Sequence, residues 1–177
     1  MPGFLTLKRR FPMACSAIIG GLAAALGLTG CTEVPRGNGQ PSFYRNLATP
    51  SAEVDAEAAR ATISAYRLNH GLGALVLDPA LVAIARNEAL AMAASDKPGS
   101  AERVKLRLAN SGIAGPEVNI SAGYRTLAEA FSGWRDSPQH DRAMKASGAT
   151  RMGIATAHAP GSKYQVYWAL ILAGPTR

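Results

Sequence analysis

An uncharged apolar run from Met13 to Leu28 follows the basic triplet Lys8-Arg9-Arg10. A basic start before an apolar stretch is the pattern of an export signal, and about sixteen residues is short for a bilayer span of roughly twenty. From residue 50 onward the apolar positions become periodic. Ala59, Ile63 and Tyr66 share one face of a helix that starts at a Ser51 cap, runs to about Leu68 and stops at Asn69-His70-Gly71. Asp78-Pro79, an acidic cap before a proline at the first helical position, starts a second helix. That helix carries Leu81, Ala85, Ala89 and Met92 on one stripe and ends near Ser95-Asp96. A shorter helix spans about Glu102 to Asn110 and stops at Gly112, and Glu117 to Ser121 reads as a brief strand. Thr126-Leu127-Ala128-Glu129 matches a capping box, opening a helix that holds Ala130, Phe131 and Trp134 towards the core. Ser137-Pro138 breaks it and restarts a turn carrying His140. Arg151 to His158 and Lys163 to Ala173 alternate, with Tyr164, Val166, Trp168, Leu170 and Leu172 on one face. Joined through Ala159-Pro160-Gly161-Ser162, they predict a hairpin. Helices around a small antiparallel sheet make a layered α/β (α+β) domain.

The end of the apolar run sets the organisation. Leu28-Thr29-Gly30-Cys31 resembles the bacterial lipobox, in which the chain is cut before the cysteine and that residue becomes a lipid-modified amino terminus. Residues 1–30 are then a lipoprotein signal peptide, 31–49 an acylated Cys31 with a flexible tether, and 50–177 a single domain. The implied partner is a membrane, held through acyl chains whose buried methylenes contribute about 0.8 kcal/mol each. In a Gram-negative cell, Thr32 after the cysteine resembles the sorting signal for the outer membrane. The expected location is the periplasmic or surface side of a bacterial envelope. Cys15 leaves with the signal and Cys31 is acylated, so no disulfide is expected. The 147 residues from Cys31 to Arg177 are enough to bury one core. Their 16 basic and 12 acidic residues balance at +4. Arg103, Lys105 and Arg107 spread around their helix, and with export this argues against a nucleic-acid partner.

Several residues then fall into a known order: Ile63, Asn69, Gly71-Leu72, Leu75, Asp78 through Leu81, Ala85 and Met92, followed by Asn119-Ile120, Gly123 and Trp134. Ser137-Pro138, His140, Gly153-Ile154 and Tyr167-Trp168 complete it. The series resembles the CAP superfamily, the cysteine-rich secretory, antigen 5 and pathogenesis-related proteins, in its short bacterial form, over about Ser51 to Gly174. The resemblance implies an α-β-α sandwich with a central antiparallel sheet flanked by helices. It also implies a cleft in which two His and two acidic side chains can hold a divalent metal such as zinc. Carried over position by position, the chain keeps only His140 of those four. The first His falls near Ser100, the acid before the Asn is Val118, and the other acid falls at Ser137. Glu117 is one residue away and points to the opposite face of its strand. Asp136 lies about 100 degrees round a helix from Ser137. One imidazole among hydroxyls is a poor zinc site, so no metal or other cofactor is expected.

Three histidines remain for chemistry in the domain. His70 ends the first helix, where a cation is mildly favourable, and His158 closes a strand beside Pro160. His140 with Ser100, Ser121 or Ser137 leaves a hydrolase or peptidase open, and His140 is the one catalytic candidate. Against that, the chain has no G-x-S-x-G elbow, no H-E-x-x-H and no phosphate loop. Asn119 reads as a hydrogen-bonding lock between its strand and a neighbouring loop. Tyr124 is the aromatic placed to line a groove, and simple packing accounts for it as well. The expected ligand cleft is therefore His140, Asn119, Ser100, Val118, Ser137 and Tyr124, with Cys31 as the lipidation site. The expected function is a membrane-anchored extracytoplasmic lipoprotein that binds a lipid-like or envelope ligand, or an envelope protein, without covalent chemistry. A hydrolase and a purely structural envelope protein stand as alternatives.

Overall fold

A computed structural model describes residues 39–176, so the expected export signal, Cys31 and the first part of the expected tether lie outside the described residues. A 3-10 turn at Ser42–Tyr44 leads into α1 (Ala56–Leu68), β1 (Val76–Leu77), α2 (Pro79–Ser95), α3 (Ala101–Asn110) and β2 (Glu117–Ala122). There follow α4 (Leu127–Asp136), α5 (Pro138–Met144), β3 (Arg151–His158) and β4 (Val166–Ala173). The strands form one sheet in the order β1-β3-β4-β2. β3 and β4 make the hairpin, β2 lies antiparallel to β4, and β1 runs parallel to β3. β1 has only two residues, too few for a period to show in the sequence.

Both faces of the sheet are covered, which makes the fold the α-β-α sandwich that the resemblance implied. Val166, Trp168, Leu170 and Leu172 of β4 pack with α1, α4 and α5 through Ile63, Leu127, Trp134 and Met144. Tyr167, Ala169, Ile171 and Ala173 pack on the other side with α2 and α3, through Leu81, Ala85, Met92 and Val104. Trp134 and Trp168 meet edge to face, with ring centroids 5.7 Å apart, a pairing worth about 0.5–1.5 kcal/mol beyond the area it buries. Tyr164 does not share the Trp168 face as the alternation predicts and joins the α2 side instead. Gln165 explains the difference, because its φ of 63° interrupts the extended backbone and starts the strand at Val166.

Helix starts follow local hydrogen-bonding chemistry, with one correction. The Ser51 cap expected from the sequence is not used. Ser51 sits at φ 60°, and the Val54 N–H donates to Thr156 Oγ1 at 3.2 Å, which holds this segment extended along β3. The helix therefore begins at Ala56, where Asp55 accepts from the Ala58 N–H at 3.0 Å. Thr126 caps α4 by accepting from the Glu129 N–H, while Glu129 reaches back to the Arg125 N–H.

Asp78 does two jobs at the start of α2. Its Oδ1 accepts from the Ala80 and Leu81 N–H groups, and its Oδ2 pairs with Arg151 at the head of β3. Burial alone pushes this carboxyl up, but the bonds from Arg151 and the two amides outweigh it and hold the group below its ordinary 3.8. A depressed folded pKa means that the contribution is complete above 3.8 and is lost as pH falls through the lower folded value. Asp78→Asn keeps a capping oxygen but ends the ion pair. We expect it to cost about 1–2 kcal/mol at neutral pH. Urea unfolding across the acid range checks this, since the gap between the two proteins should close as pH drops.

Candidate functional site

His140 lies in the first turn of α5, and α5 is held by three side chains, two from α1 and one from the sheet. Arg67 is fully buried near the end of α1. Its guanidinium donates to four backbone carbonyls: Nε to Gly73 at 2.9 Å, Nη1 to Met144 at 2.8 Å and Ala146 at 2.9 Å, and Nη2 to Ala149 at 3.0 Å. Burial lowers its pKa, yet a guanidinium keeps its charge at any physiological pH. Also from α1, Tyr66 Oη donates to Asp141 Oδ1 at 2.7 Å, beside the Asp141–Lys145 ion pair. Burial first, then the Asp141 carboxylate, pushes the Tyr66 phenol up to about 12, so it remains a donor. From the sheet, Asn119 Nδ2 donates to the His140 carbonyl at 3.0 Å. Asn119 itself is 1% exposed, so this bond ties β2 to α5 within the interior.

The His140 ring is half-buried. Burial pushes its pKa below 6.5 against the Ile120 carbonyl, which favours a proton on the ring. His140 Nδ1 and Asn119 Oδ1 are buried and have no hydrogen-bond partner among the described residues. The serines that a Ser-His pair requires are placed otherwise. Ser100 caps α3 by accepting from the Arg103 N–H at 3.2 Å, and Ser121 Oγ accepts from Trp134 Nε1 at 3.0 Å. Ser137 sits at the junction of α4 and α5. Among the described residues, no three His, Cys, Asp or Glu side chains gather where they could hold a metal ion. His70 Nδ1 lies 2.8 Å from the Tyr66 carbonyl with its ring against the Tyr66 ring, a packing role at the end of α1.

A depressed folded pKa at His140 has a testable sign. On acidification the unfolded chain takes up this proton first, so stability falls as pH drops from about 6.5 through the lower folded value. His140→Gln is expected to flatten the dependence of the thermal midpoint on pH in that window. In the unsubstituted protein the His140 ring signal should titrate below 6.5 by NMR; a midpoint at or above that value contradicts the burial.

Beside the Asn119–His140 lock, a groove of about 180 Å³ opens between α3 and α5, where β2 forms the edge of the sheet. Glu102 and Lys105 line it from α3, Gln139 and Arg142 from α5, and Glu117 and Val118 from β2. Glu117 Oε1 accepts from Lys105 Nζ at 2.8 Å. Glu117 and Val118 belong to opposite faces of β2, as the alternation predicts, with Glu117 opposite Leu172 and Val118 opposite Ile171. The groove follows the edge of β2 and not one face, so side chains of both faces border it. Ser100 adjoins the α3 wall as the residue before Ala101. Tyr124 lies apart from the groove. Its ring presses on Gly133 of α4 and its carbonyl accepts from Trp168 Nε1 at 2.9 Å. Lys105, Glu102, Gln139 and Arg142 were not singled out as site residues in the sequence. The one available signal was the i,i+3 spacing of Glu102 and Lys105, which puts both on one helix face.

An α-β-α sandwich with an Asn on its edge strand tied to a His that follows Ser-Pro defines a CAP domain. The family model for CAP, the cysteine-rich secretory protein family, matches residues 61–172, and the chain belongs to that family. Three solved structures share the fold. An outer surface protein from Borrelia burgdorferi is 14% identical with a TM-score of 0.58, covering 68% of this chain and 92% of its own. An extracellular protein containing an SCP domain from Bacillus anthracis is 17% identical with a TM-score of 0.55, and a cysteine-rich secretory protein from Staphylococcus aureus is 16% identical with a TM-score of 0.52. Each of these two matches 68% of this chain, which spans 40% of theirs. At such identities the likeness concerns the fold alone. No curated protein matches the chain.

Proposed function

We propose that this chain is an extracytoplasmic lipoprotein of a bacterial envelope, tethered through Cys31, whose CAP domain binds an envelope ligand or partner without covalent chemistry. The observation that carries the binding role is the state of His140. Its ring is half-buried with a depressed pKa, its carbonyl is tied by Asn119, and among the described residues the buried Nδ1 has no hydroxyl or carboxylate as a partner. A hydrolase of the Ser-His type needs a nucleophile on one ring nitrogen and an orienting acid on the other. The Asp141 carboxylate, the nearest acid in sequence, is occupied by Tyr66 and Lys145.

The tether rests on Leu28-Thr29-Gly30-Cys31 after a basic and apolar leader. Among the described residues no helix is long and apolar enough to cross a membrane. Two structural neighbours, an outer surface protein and an extracellular protein, agree with a place outside the cytoplasm.

Two experiments test the proposal. Cys31→Ser is expected to leave the precursor uncleaved and unlabelled by a radioactive fatty acid; unchanged processing overturns the tether. The mature protein, purified from its own envelope and examined by native mass spectrometry after crosslinking, is expected to carry a non-covalent ligand or partner. Protein that is consistently bare in both measurements overturns the binding role.

A further inference from the structure

We infer that the groove between α3 and α5 binds a short, extended peptide with free charged ends, laid against the edge of β2 by main-chain hydrogen bonds. This rests on the binding role proposed above and names its ligand class. β2 pairs with β4 alone, with Glu117 opposite Leu172 and Ala122 opposite Tyr167. The Gly123 N–H donates to the Val166 carbonyl at 2.9 Å. In an antiparallel pair the inward-bonding residues alternate, so Glu117, Asn119 and Ser121 exchange bonds with β4. Val118 and Ile120 therefore turn their N–H and C=O groups to the unpaired edge. The Ile120 carbonyl faces towards His140, where it favours the protonated ring. The Val118 groups make no bond to another described residue outside the ladder, and Val118 lines the groove.

An N–H and a C=O of one residue, side by side on a strand edge, match the donor and acceptor of a second extended chain. The charges around them match its ends. Lys105 and Glu117 neutralise each other. Glu102 on the α3 wall and Arg142 on the α5 wall have no ion-pair partner among the described residues. A peptide ammonium suits Glu102 and a peptide carboxylate suits the fork of Arg142, with the Gln139 amide beside it as a further donor or acceptor. The groove, at about 180 Å³, is small and bordered by charged and amide side chains, a lining that suits the polar main chain and ends of a short peptide better than an acyl chain. The two walls also protect the edge from pairing with another copy of the sheet, the usual hazard of an uncovered strand.

The test titrates tri-alanine with free ends, and tri-alanine acetylated and amidated at its ends, into the ¹⁵N-labelled mature protein. Free tri-alanine should shift the Val118 and Arg142 amide signals saturably, and the blocked peptide should bind more weakly by about tenfold. Arg142→Gln, a change at an exposed side chain, should weaken the free peptide by about fivefold and leave the blocked one unaffected. Val118→Pro removes the edge N–H without removing a ladder bond, and, where circular dichroism shows a folded domain, should abolish binding. No saturable shift at Val118, or equal binding by the free and blocked peptides, overturns the inference. If the protein from the envelope carries a ligand by native mass spectrometry while the groove ignores tri-alanine, the binding role survives and the peptide assignment falls.

Discussion

Arg67→Met should lower the unfolding free energy of the mature chain by about 3–5 kcal/mol, a loss that a shift of the urea midpoint at unchanged slope would report. Methionine replaces the aliphatic stem but is shorter by the guanidinium head, so the loss combines the hydrogen bonds with the space that the head filled. The carbonyls of Gly73, Met144, Ala146 and Ala149 all lose the guanidinium; Ala146 keeps the Ala149 N–H and Gly73 is exposed to water, so the buried carbonyls of Met144 and Ala149 carry the cost. Each buried group left unsatisfied costs about 1–3 kcal/mol. Against this stands the relief of a desolvated cation with no carboxylate beside it, which by itself favours the substitution. The carbonyls outnumber the charge, and two of them belong to the segment after α5 that no other bond reaches from α1. Arg67→Lys should recover little, because one ammonium with three donors cannot span positions served by a planar fork. A Met variant as stable as the original would show that burying the charge costs as much as its bonds return, and α5 would then owe its position to Tyr66 and Asn119.

Arg67 also shows where sequence reasoning stops. An arginine on a helix face next to Ile63 reads as a surface residue, because the carbonyls that hold it come from a loop nearly eighty residues later. Helix starts fared better where the cap and its partner were neighbours, as at Asp78-Pro79 and Thr126, since the bond that stops the backbone is written within four residues. Ser51 misled for the opposite reason: the bond that decides its segment goes to Thr156 on a distant strand. The two faces of β4 were half legible. Their alternation was visible, but that both were buried required knowing that helices lie on each side. At the site, His140 and Asn119 were recognisable from motif, whereas the charged groove depends on which strand ends the sheet. That order, β1-β3-β4-β2, places Val118 and Glu117 at an edge where a face had been assumed.

Gly153→Ala should be as damaging as the loss of Arg67, costing about 3 kcal/mol or more and lowering the thermal midpoint accordingly. The cause is contact and not conformation, because Gly153 lies inside β3 and is not among the residues with positive φ. A Cβ there would overlap the carbonyl group of Leu81 and the backbone nitrogen of Val82. These are main-chain atoms in the first turn of α2, and they cannot swing aside as a side-chain tip can. The Leu81 N–H is held by Asp78, which is itself paired to Arg151 on the same strand, so α2 is clamped at the point where it would have to move. Gly133 makes the informative comparison. At Gly133 the atoms nearest a Cβ are the Oη and ring end of Tyr124, a side-chain tip that can swing away by a change at χ1, so Gly133→Ala should cost less and Tyr124→Phe should recover part of it. At Gly148 nothing lies within 4 Å, and alanine should be neutral within about 0.5 kcal/mol. Thermal unfolding of the three alanine variants ranks them directly. Should Gly153→Ala keep the original midpoint, α2 cannot be seated on β3 at this distance, and the α3 wall of the groove, which packs on α2 through Met92 and Val104, would lose its support as well.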